Sequence, residues 1–170
     1  SVELLPTRLV NWKQWKAAHP DTTVYADRRL WRDMHRDRVN FSRKDSREKL
    51  GLNVVVDHKS KIYPYTALEP ARVINDVFNK QPLAAIFVPS AECGIAWHRR
   101  VDDRELTLHA VKSNGRLRLR DSETKSLWHP LTGEAVEGPL KGKRLQPLIA
   151  IPIRISRYRS FYPEGATYGP

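Results

Sequence analysis

Short apolar runs, recurring turn signals and one strict alternation predict an α+β domain in which β dominates, an antiparallel meander of hairpins with short helices at its margins. The alternation is Arg116-Leu117-Arg118-Leu119-Arg120, a period-two pattern with one apolar face. The clearest apolar run is Leu83–Val88, strand-sized and unbroken by charge, as expected of a central strand. Turn chemistry stands at His58-Lys59-Ser60, at Asp102-Asp103 and at Ser113-Asn114-Gly115.

The 170 residues fit one domain, 1–170. Within it a helix-containing first tail element covers 1–25, a basic excursion 26–50, a strand-rich core 51–145 and a second tail element 146–170. In the first tail, residues 9–19 predict a short helix capped by Asn11, with Trp12, Trp15 and His19 at helical spacing and Pro20 after the last turn. Residues 25–49 are charge-dense and lack periodicity, apart from one helical turn expected around Leu30–His35.

From Gly51 the pattern turns to β. Leu52–Asp57 and Lys61–Tyr65 flank a hairpin turn, with Pro64 at a strand end where its missing N–H does least harm. Leu68–Phe78 predicts a short helix with Pro70 in its first turn and Val73, Val77 and Phe78 on one face. Gly94–Val101 and Glu105–Val111 predict a second hairpin around Asp102-Asp103. That register puts Ile95, Trp97, Leu106 and Leu108 on one face, and Ala96, His98, Thr107 and His109 on the other. Ser113-Asn114-Gly115 then leads into the arginine alternation.

The two tails echo each other. Trp15, Pro20, Asp21 and Tyr25 have counterparts at identical spacing in Tyr158, Pro163, Glu164 and Tyr168, while Trp12 matches Ile155 and His19 matches Tyr162. This is a degenerate duplication of one element and not a solenoid, which needs several repeats.

The net charge is +11, and its placement matters more than its size. Residues 28–49 carry nine Lys and Arg against four acids; residues 141–159 carry six and no acid. Those two segments hold the whole excess. Such patches attract acidic protein surfaces, anionic lipid headgroups or nucleic acid with little discrimination. One cysteine, Cys93, excludes an internal disulfide framework. No stretch approaches the roughly 20 apolar residues of a spanning helix. Ser1 fits either a mature chain after signal removal or a boundary within a longer one.

Ser126-Leu127-Trp128-His129-Pro130-Leu131-Thr132-Gly133-Glu134-Ala135, continued by Gly138-Pro139-Leu140-Lys141-Gly142-Lys143-Arg144-Leu145, resembles the signature of a bacterial family of domains of unknown function. Arg47–Leu52, Lys61–Pro64 and Val73–Asp76 share the resemblance, which covers most of residues 4–168. In members of that family a Trp-x-x-Trp-x-x-x-His-Pro-x-Thr element follows the block; here one stands at Trp12–Thr22. The resemblance implies organisation and no particular chemistry. Members are often exported, which implies an extracytoplasmic location. Many carry Cys-Pro-x-Cys-Gly where this chain has Ser90-Ala91-Glu92-Cys93-Gly94, so a thiol-pair role does not carry over.

Candidate sites are few. Cys93 could act as a nucleophile, but it shares parity with Ile95 and Trp97 and is expected to be a buried, inert thiol. His58, His98 and His109, with Cys93, are the weak metal-ligand candidates; no short ligand spacing joins them, so no metal and no cofactor is expected. Asp102 and Asp103 read as turn residues rather than a catalytic pair. Gly133 and Gly138 resemble no phosphate loop. Trp31 among Arg28, Arg29, Arg32 and Arg36 has the mixture of an interface, and Lys141, Lys143, Arg144, Arg154, Arg157 and Arg159 form the second basic surface. The reading that follows is a non-catalytic binding or accessory subunit, periplasmic or otherwise extracytoplasmic. It would dock through basic surfaces on protein subunits of a larger envelope complex or on anionic lipid headgroups. A nucleic-acid binder is the first alternative, without a recognisable motif; a metal- or thiol-dependent enzyme using Cys93 and the histidines is the second.

Overall fold

The computed structural model describes residues 10–23 and 48–169. The basic excursion, with Arg28, Arg29, Trp31, Arg32 and Arg36, lies outside the described residues, as does Tyr25. The fold is α+β with β dominant, as the sequence predicts.

The middle of the domain is a three-stranded antiparallel sheet, β3 (Val73–Phe78), β4 (Gln81–Val88) and β5 (Cys93–His98), with β4 at its centre. Its central strand explains the unbroken apolar run. Ala84, Ile86 and Val88 point into one core, and Leu83, Ala85 and Phe87 into another. A strand covered on both faces has no position left for a polar side chain.

One core is closed by the sheet β12-β1-β2-β13, built from β1 (Leu50–Val56), β2 (Lys59–Pro64), β12 (Ile149–Arg154) and β13 (Ala166–Thr167). The other is closed by β8 (Leu108–Ser113), β9 (Arg116–Asp121), β10 (Leu127–Trp128) and β11 (Ala135–Glu137). Between them β6 (Arg100–Val101) and β7 (Arg104–Glu105) form a minimal hairpin.

Among the described residues three α-helices sit at the margins: α1 (Trp12–Ala18), α2 (Tyr65–Ala71) and α3 (Ile155–Phe161). Asn11 caps α1 as its sequence predicts, its side chain accepting the Lys13 amide at 2.9 Å. The β8–β9 hairpin also follows the expected register, Ser113 facing Arg116 across Asn114-Gly115. Both turn residues have positive φ, the geometry that matches the twist of paired strands.

Three expectations are corrected. The helix over Leu68–Phe78 is instead the end of α2 followed by strand β3. Pro70 lies in the last turn of α2, and Arg72 at φ 64° breaks the chain out of it. Val73 and Ile74 then pair with Ile86 and Ala85. The first hairpin turns at Asp57-His58, both with positive φ, so Ser60 is a buried strand residue rather than part of a loop. The predicted long hairpin around Asp102-Asp103 is split. Those residues do form the turn, yet only β6 and β7 pair across it, while β5 pairs with β4 and β8 with β9.

Arg99 explains the split. It is buried, and its side chain donates to the carbonyls of Leu83 at 2.9 Å and Leu106 at 2.5 Å, redirecting the chain between two sheets. Trp97, Leu106 and Leu108 are nevertheless buried, because the parity survives the change of partner.

A candidate anion-binding cleft

A cleft of about 770 Å³ opens between α1, the β8–β9 hairpin and the end of β4. Pockets of about 300–1,000 Å³ are typical of small-ligand sites. One wall is α1, through Lys13, Gln14, Ala17 and Ala18. The helix is fixed there because the Asn11 amide donates to Ala91 at 3.1 Å, in the 3-10 turn Pro89–Ala91 that follows β4. The floor is apolar, with Val88, Pro89 and Leu131, and Ser90 adds a hydroxyl. The opposite wall is the hairpin, which contributes Lys112, Arg116 and Arg118.

Electrostatically the cleft has one sign. Lys13, Arg72, Lys112, Arg116 and Arg118 line it, and no Asp or Glu does among the described residues. Arg72 is its most unusual member. It holds φ 64°, where a long side chain is strained, and its guanidinium carbon lies 5.8 Å from the centre of the Phe87 ring. Its Nη1 is buried and has no hydrogen-bond partner among the described residues. A buried, charged donor without an acceptor costs free energy that an anion would recover.

His129 lines the same cleft. Burial pushes its pKa down, and the nearby Arg118 charge pushes in the same direction against the pull of Glu134. Its Nδ1 accepts the Thr132 amide at 3.2 Å, so the neutral ring keeps its proton on Nε2 as a donor. His19, at the end of α1, also lowers the His129 pKa, and its own Nε2 is a second buried nitrogen without a partner among the described residues.

The other expected site residues are dispersed. Cys93 is 1% exposed at the start of β5, paired with Val88 of β4 and within the core. His58 sits in the β1–β2 turn, and His98 is half-buried in β5 with its pKa lowered by burial. His109 is on β8, exposed and hydrogen-bonded to Ser122 at 2.8 Å. The shared hairpin face expected for His98 and His109 is therefore corrected: they belong to different sheets. Among the described residues no three His, Cys, Asp or Glu side chains converge.

Of the second basic surface, Lys141, Arg154, Arg157 and Arg159 are exposed. Lys143 and Arg144 are exposed too, but they pair with Asp102 at 3.1 Å and Glu134 at 3.2 Å. Such surface pairs contribute little energy and do not immobilise the charge.

The signature block Ser126–Leu145 wraps beneath Trp97, whose indole N–H donates to Pro130 at 3.0 Å. Gly133 lies against the face of that ring. The block also supplies His129, Pro130 and Leu131 to the cleft. Residues 45–167 match the model of the family described as protein of unknown function DUF3179. The chain belongs to that family. No curated protein and no solved structure is significantly similar to it. In this DUF3179 domain the signature block thus has two roles, filling the core under Trp97 and forming one side of the basic cleft.

Sequence reasoning missed Lys13, Arg72, Ser90, Lys112 and His129 as neighbours. The three arginines on one face of β9 were a usable signal, since a strand that repeats one charge invites an oppositely charged partner. Arg72 carried no local signal.

Proposed function

We propose that this domain is a non-catalytic binding module that holds an anionic group, a carboxylate or a phosphate, in the basic cleft. It serves as an accessory subunit of a larger extracytoplasmic envelope complex. The observation that carries the reading is the cluster of cations around Arg72, whose buried Nη1 lacks an acceptor among the described residues. Planar guanidinium groups suit carboxylate and phosphate oxygens, and the apolar floor would take a carbon skeleton attached to them. Support for the envelope location comes from the sequence resemblance to exported proteins. The thiol or metal enzyme is disfavoured by the separation of Cys93 and His98, at opposite ends of β5, from each other and from His109 on β8 of another sheet.

The test is calorimetric titration of the domain with sulfate and with an acidic peptide, at low and at physiological salt. Saturable binding of either anion, weakened at least tenfold in Arg72→Gln, supports the cleft as the site. Equal affinity in Arg72→Gln, or no saturation, overturns it. Retention of envelope proteins by the native domain and its loss on Arg116→Glu with Arg118→Glu tests the accessory role. Retention unchanged by that reversal removes the docking reading while leaving the anion site to the calorimetry.

A further inference from the structure

The seven-residue helices α1 and α3 are copies of one element. Each ends in the same backbone conformation, His19 at φ −136° and ψ 75°, Tyr162 at φ −132° and ψ 73°. In each the cap amide donates to the carbonyl four residues back, Trp15 or Tyr158. A further turn follows both: Thr22 donates to His19 at 3.2 Å, and Gly165 to Tyr162 at 3.0 Å. The mid-helix ring tilts onto the cap ring in both, by 35° for Trp15–His19 and 31° for Tyr158–Tyr162.

The differences between the copies compensate one another. The Tyr158 hydroxyl donates to the Ala166 carbonyl at 2.9 Å, and a Cβ on Gly165 would overlap it. At the position equivalent to Gly165 the first copy has Thr22, and Trp15 donates its indole N–H to the Thr22 hydroxyl at 3.0 Å. Two different ring-and-partner pairs hold the same turn closed.

The copies use the shared face differently. In α3 that face carries Tyr158, 1% exposed, onto the β1–β2 sheet, where the Ser60 hydroxyl lies 3.0 Å from the Tyr158 oxygen. Ala166–Thr167 then add to β2 as a parallel strand, and Tyr168 stacks on Tyr63 at 5.4 Å. In α1 the residues turned toward this domain are those of the cleft wall. On its equivalent face Trp12 is left over, 51% exposed, with Trp15 half-buried beside it, while the ring nitrogen Nε2 of His19 is buried.

We propose that the Trp12–Trp15 face of α1 docks on the β1–β2 sheet of a second domain of this same fold, in the place that α3 fills here. The occupant follows from the geometry, because the sheet this face is built to match is the one its copy already covers in this chain. Trp15 brings its own hydrogen-bond acceptor in Thr22, so the receiving sheet needs to offer only an apolar seat. Ser60 and Asn53 can satisfy each other there, as their 2.6 Å contact already does. An exposed tryptophan flanked by a half-buried one is also the kind of anchor on which interfaces concentrate their energy.

The test empties the seat and offers it the first copy. Gly165→Val drives Tyr158 out sterically, and Tyr158→Ala removes its ring, so two independent chains have a vacated sheet. A fluorescein-labelled peptide of residues 8–26 is titrated into both and into the native chain, with anisotropy as the readout. The expected result is saturable binding to whichever vacated chain folds, competed by an unlabelled peptide of residues 153–169. Affinity should drop at least tenfold when the labelled peptide carries Trp15→Ala, and millimolar sulfate should not compete. If the vacated sheet takes the 153–169 peptide but not the 8–26 peptide, or if Trp15→Ala binds equally well, the proposal fails. Should neither vacated chain fold, rescue of the Tyr158→Ala chain decides the matter. A cooperative thermal melt restored by the 8–26 peptide and not by its Trp15→Ala form supports the docking face, and no restoration by the 8–26 peptide overturns it.

Discussion

Trp97 lies flat against the backbone of Gly133, so closely that a Cβ at position 133 would meet the ring carbons Cζ3 and Cη2 at 2.8 Å. The contact joins β5 of the middle sheet to the signature block. Gly133 also has φ 72°, so two independent requirements fall on one residue. Gly133→Ala should cost about 2–4 kcal/mol, from overpacking together with a left-handed L-residue. Urea denaturation would measure it, and Gly115→Ala is the control. Gly115 shares the positive φ, but a Cβ there would have nothing within 4 Å, so its cost should be about 1–2 kcal/mol.

Asp121 is fully buried and accepts from the Trp128 indole at 2.9 Å and the Thr124 hydroxyl at 3.0 Å. Asp121→Ala strands the Trp128 indole N–H inside the core and takes the acceptor from the Thr124 amide in the turn, while the Thr124 hydroxyl keeps Ser126 as a partner. A loss of about 3 kcal/mol is expected, from the desolvated indole N–H and the lost turn. Trp128→Phe removes one donor but leaves the carboxylate its other partners, so it should cost less on that account. Equal losses in thermal melts of the two variants would mean that packing of the indole, not its hydrogen bond, matters at this site.

Asp76 links β3 of the middle sheet to β2 of the sheet that covers it. It accepts from Lys61 at 2.6 Å and from the Tyr63 hydroxyl at 2.8 Å. Burial alone would raise its pKa, but those bonds and the Val77 amide outweigh burial and hold the carboxyl below its ordinary value. A carboxyl with a depressed folded pKa contributes stability that is fully present above its unfolded pKa of about 3.9. That stability is lost as pH falls through the lower folded value. The stability difference between native protein and Asp76→Asn should therefore be constant from pH 7 to about 5 and shrink below about pH 4. A difference that instead grows on acidification would contradict the assignment.

Arg72 combines a strained backbone with a buried nitrogen that has no hydrogen-bond partner among the described residues. Arg72→Gly relieves the left-handed strain, worth roughly 1–2 kcal/mol, and gives up a cation–π contact worth roughly 0.5–1 kcal/mol. The variant should be at least as stable as the native domain while losing sulfate affinity. Stability and binding moving in opposite directions is the signature of a residue kept for a ligand. A variant that is both less stable and still competent to bind sulfate would make Arg72 a structural residue.

Much of the architecture was legible in local pattern. The Asn11 cap, the Leu83–Val88 run and the β8–β9 turn each depend on residues a few positions apart, and period and turn chemistry report such neighbours directly. Val73–Phe78 was misread because its apolar spacing also fits a helical face, and the break at Arg72 has no signature in an arginine. The partner of β5 was hidden for a different reason. An alternating strand specifies which face is buried, not which neighbour buries it, and the buried Arg99 sends the chain to another sheet.

The sequence by itself determined the strand-rich class, the core parity of Trp97 and Leu106, the Asn11 cap and the β8–β9 turn. Only the tertiary structure decided that β4 has a core on each face, and that Lys13, Arg72, Arg116, Arg118 and His129 share one cleft. The reason is one of range. Hydrogen-bond periodicity and backbone preference act over a few residues, whereas the convergence of like charges is imposed by burial of apolar faces between segments distant in the chain. That burial supplies the free energy to hold cations together, and nothing local in their sequence records it.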